Sequence, residues 1–412
     1  MQKDKTALEV ASLAGHILLE NGAEISRVEE TMERIATHFG VDSENFFVLS
    51  NGIFTTGPDG YAKVEFIPFK GAQLERVAQV NQISRDLCSG RLDLEQAHLD
   101  LEKVRSSPGK PPLEQIAGSA VGCAGFCIIF GGGLADACAS LLTGLLLWVF
   151  VIFVSAPHMS KALGNICGGA LATLLSVLFF RIGIGSSLGN IIVGSLIPLI
   201  PGLAFTNGIR DIADEDYIAG ATRLLDALMV FFCIAAGVVS AFFIERLLTG
   251  AAPIVNGVEP NELMASVPVQ AAAAFVGTLG FSVLFGVPRS HYIHSSLLAT
   301  LGWIVYLLLF SCTSLGAVAS TFFASVTVAI LSRRCAVLFK APQTIFLLTS
   351  IFPMIPGGGI FWTVFFVVSG RMNLALHTGT LALGVTAAIV LAIVLARSLV
   401  SLRKHRKSQK NM

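Results

Sequence analysis

Polar and apolar positions change character near residue 112. Upstream, apolar residues recur at helical spacing. Ile25, Val28, Met32, Ile35, Ala36 and Phe39 form one stripe, the pattern of an amphipathic helix buried on one side. Leu8 to Phe39 reads as two helices parted at Asn21-Gly22, where glycine can take a left-handed cap. Asn45–Leu49, Gly52–Thr56 and Ala62–Pro68 are rich in β-branched and aromatic residues and predict strands. A Pro58-Asp59-Gly60 turn separates the last two. Helices over about 72–88 and 93–106 complete a small soluble α+β domain, followed by the linker Ser106-Ser107-Pro108-Gly109-Lys110-Pro111-Pro112.

Beyond residue 112 the chain is almost continuously apolar. At roughly 20 residues per span, ten spans fit. They lie at about 115–132, 135–155, 160–180, 186–205 and 218–244, then 266–287, 292–310, 314–332, 342–369 and 376–400. The expected fold class is therefore a multispan α-helical membrane protein. Its parts are a cytoplasmic α+β domain with linker (1–112), five helices (113–250), five more (251–400) and a basic cytoplasmic tail (401–412). Basic residues orient it. With the N-terminus inside, the inner loops hold Lys161, Arg210, Arg223, Arg289, Arg333, Arg334 and Lys340, and the tail holds Arg403-Lys404-His405-Arg406-Lys407. The outer loops hold Arg181, Arg246 and Arg371. Both termini then lie in the cytoplasm, which an even number of spans requires.

One octapeptide occurs nearly twice. Ser195-Leu196-Ile197-Pro198-Leu199-Ile200-Pro201-Gly202 returns as Ser350-Ile351-Phe352-Pro353-Met354-Ile355-Pro356-Gly357, displaced by 155 residues. Gly125–Gly131 resembles Gly280–Gly286 at that displacement, and Trp148 matches Trp303. Five spans per copy is an odd number, so the second copy enters the membrane from the opposite side, giving two inverted five-helix repeats. Pro198, Pro201 and Gly202, with Pro353, Pro356 and Gly357, should break both helices at membrane depth. Such backbone is tolerated only where protein or a water-filled cavity covers it. Breaks at matching positions of two halves are the best sequence pointer to a transporter's binding site.

Polar residues near these spans are the candidate chemistry. After the first break come Asn207, Arg210 and Asp211; the matching stretch of the second copy is uncharged. A guanidinium at Arg210 can take a carboxylate bidentately, and an aspartate can hold an ammonium group or carry a coupling proton. The rival for these residues is a cytoplasmic loop with helix caps. Arg223 and Asp226 are three apart and either line the route or pair along one helix face. Asp136 corresponds to His291 across the repeat, as an acid–histidine proton relay or as a cap and an interfacial histidine.

Composition agrees: 54% of the 412 residues are hydrophobic and 13% charged, with a mean hydropathy of +0.74. The net charge of +1 says nothing about partners, and no nucleic-acid partner is expected. Met1 to Glu9 is polar and reads as no signal peptide. The eight cysteines lack disulfide or metal spacing, and no cofactor is expected.

Three blocks carry a family resemblance. Asn21-Gly22-Ala23-Glu24-Ile25-Ser26-Arg27-Val28-Glu29-Glu30-Thr31 resembles the opening signature of the threonine/serine exporter family. Pro201-Gly202-Leu203-Ala204-Phe205-Thr206-Asn207-Gly208-Ile209-Arg210-Asp211 resembles its second, and Val287-Pro288-Arg289 running into Leu301-Gly302-Trp303 resembles its C-terminal half. The resemblance implies the fused form of a bacterial inner-membrane exporter, moving small amino acids outward against protons. It singles out Gly22, Glu24, Arg27 and Glu29 in the first signature, in a gating or structural role rather than a catalytic one. Where many relatives carry arginine, this chain has Val64-Glu65-Phe66-Ile67-Pro68. Export of C4-dicarboxylates such as succinate is the alternative within transport. A passive channel and an intramembrane protease using Asp136 and Asp226 are alternatives of other classes. Membrane lipid is an implied partner, and a homo-oligomer stays open.

Overall fold

The structure, a computed structural model, describes residues 2–41, 46–57, 62–250 and 264–410. The Pro58-Asp59-Gly60 turn, Asn45 and the boundary at 251 lie outside the described residues, as do the last two residues of the tail.

The N-terminal part is built on a helical hairpin, α1 (Gln2–Glu20) and α2 (Ile25–His38). Gly22 between them has φ +88°, and the amides of Gly22 and Ala23 return to the carbonyls of Leu19 and Leu18, a glycine-dependent helix stop. Strands β1 (Phe46–Leu49), β2 (Gly52–Thr56) and β3 (Ala62–Phe66) form an antiparallel sheet in that order. Helices α3 (Leu74–Cys88) and α4 (Leu94–Ser106) follow. Ile17, Leu18, Ile25, Met32, Ile35 and Ile53 are fully buried here. Their cluster continues without interruption into Leu203, Val287, Ile345 and Phe346, so this part shares its core with the apolar helices that follow.

Among the described residues, eight of those helices are long and apolar enough to cross a membrane. They are α5 (Pro112–Ile129), α6 running through a π-turn at Val151–Ser155 into the short α7 (Leu134–His158 in all), α8 (Lys161–Arg181) and α11 (Tyr217–Thr249). The second half supplies α12 (Val267–Leu284), α13 (Tyr292–Cys312), α14 (Gly316–Leu338) and α17 (Met372–Lys410). The count rises to ten if each of two bent pairs is one span: α9 (Leu188–Leu196) with α10 (Gly202–Ala213), and α15 (Gln343–Ile351) with α16 (Gly357–Val368). The chain is a multispan helical membrane protein. The π-turn precedes Pro157, whose missing amide loosens the helix there.

Element bounds recur at the sequence displacement of 155. Pro112 and Ile129 of α5 map onto Val267 and Leu284 of α12, and α9 and α10 map residue for residue onto α15 and α16. A side-chain contact recurs as well: Trp148 Nε1 donates to Gln115 Oε1 at 3.3 Å, and Trp303 Nε1 to Gln270 Oε1 at 3.1 Å. Helices α5 and α12 cross antiparallel on a seam of glycines. Gly118 meets Gly280, while Gly125 meets Gly277 and Ala273. Shifting each residue by 155 converts the first contact into the second, the reciprocity expected about a two-fold axis. Small residues allow this approach.

A methyl group on Gly125 would lie 2.5 Å from the Gly277 amide nitrogen, a backbone atom that cannot swing aside. Gly125→Ala is expected to cost about 1–3 kcal/mol by overpacking. Gly359→Ala, where the nearest atom is 3.6 Å away, should be near neutral. Unfolding temperatures of the detergent-solubilised variants check the contrast.

Candidate functional site

Each helical break has the same local construction. Ile197–Leu199 and Phe352–Met354 tighten into one 3-10 turn before the chain bends, by 65° in the first copy and 49° in the second. Pro201 (φ −78°, ψ 54°) and Pro356 (φ −77°, ψ 42°) then form inverse γ-turns. These are closed by Gly202 N to Ile200 O and Gly357 N to Ile355 O, both 2.7 Å. The glycines are needed for proximity. A Cβ on Gly202 would strike the Phe352 ring, and one on Gly357 would lie 3.0 Å from Ile200. The two breaks are thus packed against each other.

A cavity flanks each break. Pro198–Ala204 line one of about 430 Å³, together with Lys161, Asp226 and Phe281. A smaller cavity of about 290 Å³ shares Lys161, Asp226 and Leu203 and adds Gly22, Asn207 and Arg223. Beside the second break, about 630 Å³ is lined by Gly358, Gly359, Trp362, Trp303, Tyr306 and Gln270. The first side carries charge of both signs; the second is aromatic and amide.

The polar residues after the first break are held by the loop that opens α2. Asn207 Nδ2 donates to Gly22 O at 2.8 Å. Arg223 donates to Ala23 O at 3.1 Å and to Asp211 Oδ2 at 2.7 Å. The other oxygen of Asp211 accepts the Ile25 amide at 3.3 Å, capping α2 from 186 residues away. A carboxylate there also meets the positive end of the α2 dipole. Ser26 Oγ donates to Asp214 at 3.1 Å. Glu24, 1% exposed, sits at the centre. Its Oε1 meets Arg27 Nε at 3.0 Å and Arg210 Nη2 at 3.2 Å, while Oε2 accepts Thr344 Oγ1 at 2.8 Å. Burial pushes the Glu24 carboxyl up, but Arg210 and Arg27 overturn this and hold it ionised, well below the usual range. Arg210 keeps Nε and Nη1 without a hydrogen-bond partner although it is 3% exposed.

Other candidates lie apart from this cluster. Asp226 pairs with Lys161 at the cavity mouth, not with Arg223. Asp136 caps α6: its carboxylate accepts the amides of Gly133, Ser186 and Ser187 at 2.7, 2.6 and 3.0 Å. His291 stacks near His294, Phe339 and Phe346. The hydrogen bonds of Asp136 and the ring contacts of His291 run to different residues. Glu29 lies beside the cluster, half-buried. Burial and then the nearby Asp216 push its carboxyl up to about 7. Burial also raises Asp216. Sequence reasoning missed Thr344 and read Lys161 only as an inner-loop cation. Neither had a local signal for its role, because each acts through a partner distant in sequence. Among the described residues, no group of three or more His, Cys, Asp or Glu could hold a metal ion.

Comparison with known families matches nearly the whole chain. A family model described as a threonine/serine exporter matches residues 9–244, and a second, Threonine/Serine exporter ThrE, matches residues 270–399. No curated protein and no solved structure matches the chain.

Removing one partner of a buried ion pair strands the other, at a cost of about 3–5 kcal/mol. Glu24→Ala should therefore lower the unfolding temperature strongly. Glu24→Gln combined with Arg210→Gln should recover part of the loss, and a double variant no more stable than Glu24→Ala would show that the two do not act as a unit. A second expectation concerns pH. Glu29 is raised in the fold, so its contribution is full below about pH 4.5 and is lost as pH rises through about 7. Trypsin cleavage of the N-terminal part should accelerate from pH 6 to 8 in the parent protein, and Glu29→Gln should flatten that rise.

Proposed function

The chain belongs to the threonine/serine exporter family, and on that premise we propose a proton-coupled exporter of threonine- or serine-like amino acids that works by alternating access around its two broken helices. The observation that carries this reading is the meeting of the two breaks, each flanked by its own cavity. Rocking one five-helix unit against the other would open these cavities in turn. The displaced element bounds and the reciprocal α5–α12 contacts support an inverted repeat.

On this reading the N-terminal part is a cytoplasmic domain, both termini lie in the cytoplasm, and the bilayer is a bacterial inner membrane. The clustering of basic residues on loops of one side supports that orientation. A zwitterionic substrate needs both signs of charge. At the first cavity Asp226 supplies an acceptor for the ammonium group, and Lys161 or Arg223 supplies donors for the carboxylate. The Lys161–Asp226 pair would exchange for the two ends of the amino acid. Arg210 would meet substrate only after Glu24 lets go of it. Asp211, held by Arg223 and the α2 amide, is the proposed proton carrier, with Asn207 fixing the adjacent loop.

A dicarboxylate would find the same cations but would set its second carboxylate near Asp226, which favours the amino acid. The protease reading needs Asp136 and Asp226 together, yet they bond to different partners.

Efflux from oriented vesicles loaded with labelled threonine, serine or succinate, with and without a protonophore, tests the proposal. Protonophore-sensitive loss of threonine or serine is expected. Selective loss of succinate would transfer the reading to dicarboxylates, and equal leakage of all three would indicate a channel. Replacing Pro201-Gly202 by two alanines should abolish coupled efflux, because the helix is mended and the new methyl meets Phe352.

A further inference from the structure

A fourth cavity, of about 610 Å³, opens where the N-terminal part meets the membrane helices, and neither Lys161 nor Asp226 lines it. It is unusually basic. Arg27 and Arg34 reach it from α2, Arg85 from α3, Arg210 from α10, and Arg333 and Lys340 from the end of α14. Only two carboxylates, Glu24 and Glu30, line it. Glu24 is already committed to Arg27 and Arg210. Among the described residues, Arg333 and Lys340 have no ion-pair partner.

Several donors here are left unused. Arg210, 3% exposed, has two nitrogens without an acceptor, and Arg34 keeps a buried Nη2 unbonded although its Nε donates to Ser84. Buried unsatisfied donors on a guanidinium are costly, and like charges converging from two halves of a structure repel. A bound anion removes both penalties. The backbone adds a third sign. Lys340 has φ +51°, one of two positive-φ residues other than glycine among those described, and such strain persists where the surroundings demand it. Its carbonyl accepts Arg85 Nη1 at 3.4 Å across the junction.

We propose that this cavity binds a phosphate-bearing anion, which clamps the N-terminal part onto the end of α14. Guanidinium forks suit phosphate oxygens because they donate in parallel pairs. Two sources present the same chemistry. One is a soluble phosphate compound; the other is an anionic lipid headgroup, consistent with Val337 and Leu338, which are 75% and 74% exposed beside the cavity. The site is independent of the transport reading, since it does not require that substrate pass through it.

The test uses the purified full chain and two variants, Arg333→Gln and Lys340→Gly. The latter removes a charge while relieving the left-handed backbone, so it should fold at least as well as the parent. Unfolding temperature is read at constant ionic strength in chloride and in pyrophosphate. It is read again in vesicles of phosphatidylcholine alone and with one-fifth phosphatidylglycerol. A rise of several degrees with pyrophosphate, reduced at least by half in both variants, supports the site and assigns a soluble source. A rise only with phosphatidylglycerol, reduced likewise, supports it and assigns the lipid. No rise in either arm, or an equal rise in parent and variants, overturns the proposal.

Discussion

A lipid bilayer offers no hydrogen-bond partner to a broken helix, and this constraint governs the membrane part of the chain. Each break leaves backbone groups that must be satisfied locally or covered. The γ-turns at Pro201 and Pro356 satisfy one amide each. Within the helices that follow, Thr206 Oγ1 donates to Gly202 O and Thr363 Oγ1 to Gly359 O, both at 2.7 Å, back-bonds to a carbonyl one turn earlier. Coverage comes from the opposite repeat. Phe352 of the second break lies over Gly202 and within a ring cluster with Phe126 and Phe281, at centroid distances of 5.3 and 4.6 Å. Each break is covered by the other, which ties the two halves together at the centre.

The second organising feature is electrostatic. Glu24, Arg27, Arg210, Asp211 and Arg223 are brought together from segments almost 200 residues apart. Burying such groups is costly unless each is paired. Asp211 is fully supplied by Arg223 and the Ile25 amide, and Glu24 by two arginines and Thr344. Arg210 alone is under-supplied. The same contacts that close the loop at Gly22 also cover the cytoplasm-facing end proposed for the first cavity. Opening that end would require the Asn207–Gly22 and Arg223–Ala23 bonds to separate together.

Much of this was legible in the sequence, for identifiable reasons. The breaks were visible because proline and glycine act locally, and the repeat because both copies retain them. The eight long apolar helices and both bent pairs lie where apolar runs predict spans. The clasp was not legible as geometry. Asn21–Thr31 and Pro201–Asp211 each stood out as a motif, yet nothing in either shows that Asp211 caps the helix begun by Ile25. Spacing suggested Arg223 with Asp226; the fold instead gives Arg223 to Asp211 and Asp226 to Lys161, because partners three apart on a helix compete with partners brought in by packing. Asp136 reads in sequence either as a relay member or as a cap, and its three amide bonds are those of a cap. The π-turn before Pro157 had a proline as its only signal.

The two copies have kept one backbone and diverged in chemistry. At the displacement of 155, Asn207, Arg210 and Asp211 correspond to Trp362, Phe365 and Phe366. The aromatic set packs on itself, Trp362 with Phe365 at 5.3 Å and with Phe366 at 5.5 Å. The polar set requires an outside partner, and the N-terminal part supplies it. Aromatic contact involves no titrating group and so is indifferent to pH. Ion pairs and the raised Glu29 carboxyl are sensitive to pH and salt. On the inverted-repeat reading the two closures face opposite sides of the membrane. On that reading cytoplasmic pH and ions would act on the charged closure of the first copy, while the aromatic closure of the second stays passive.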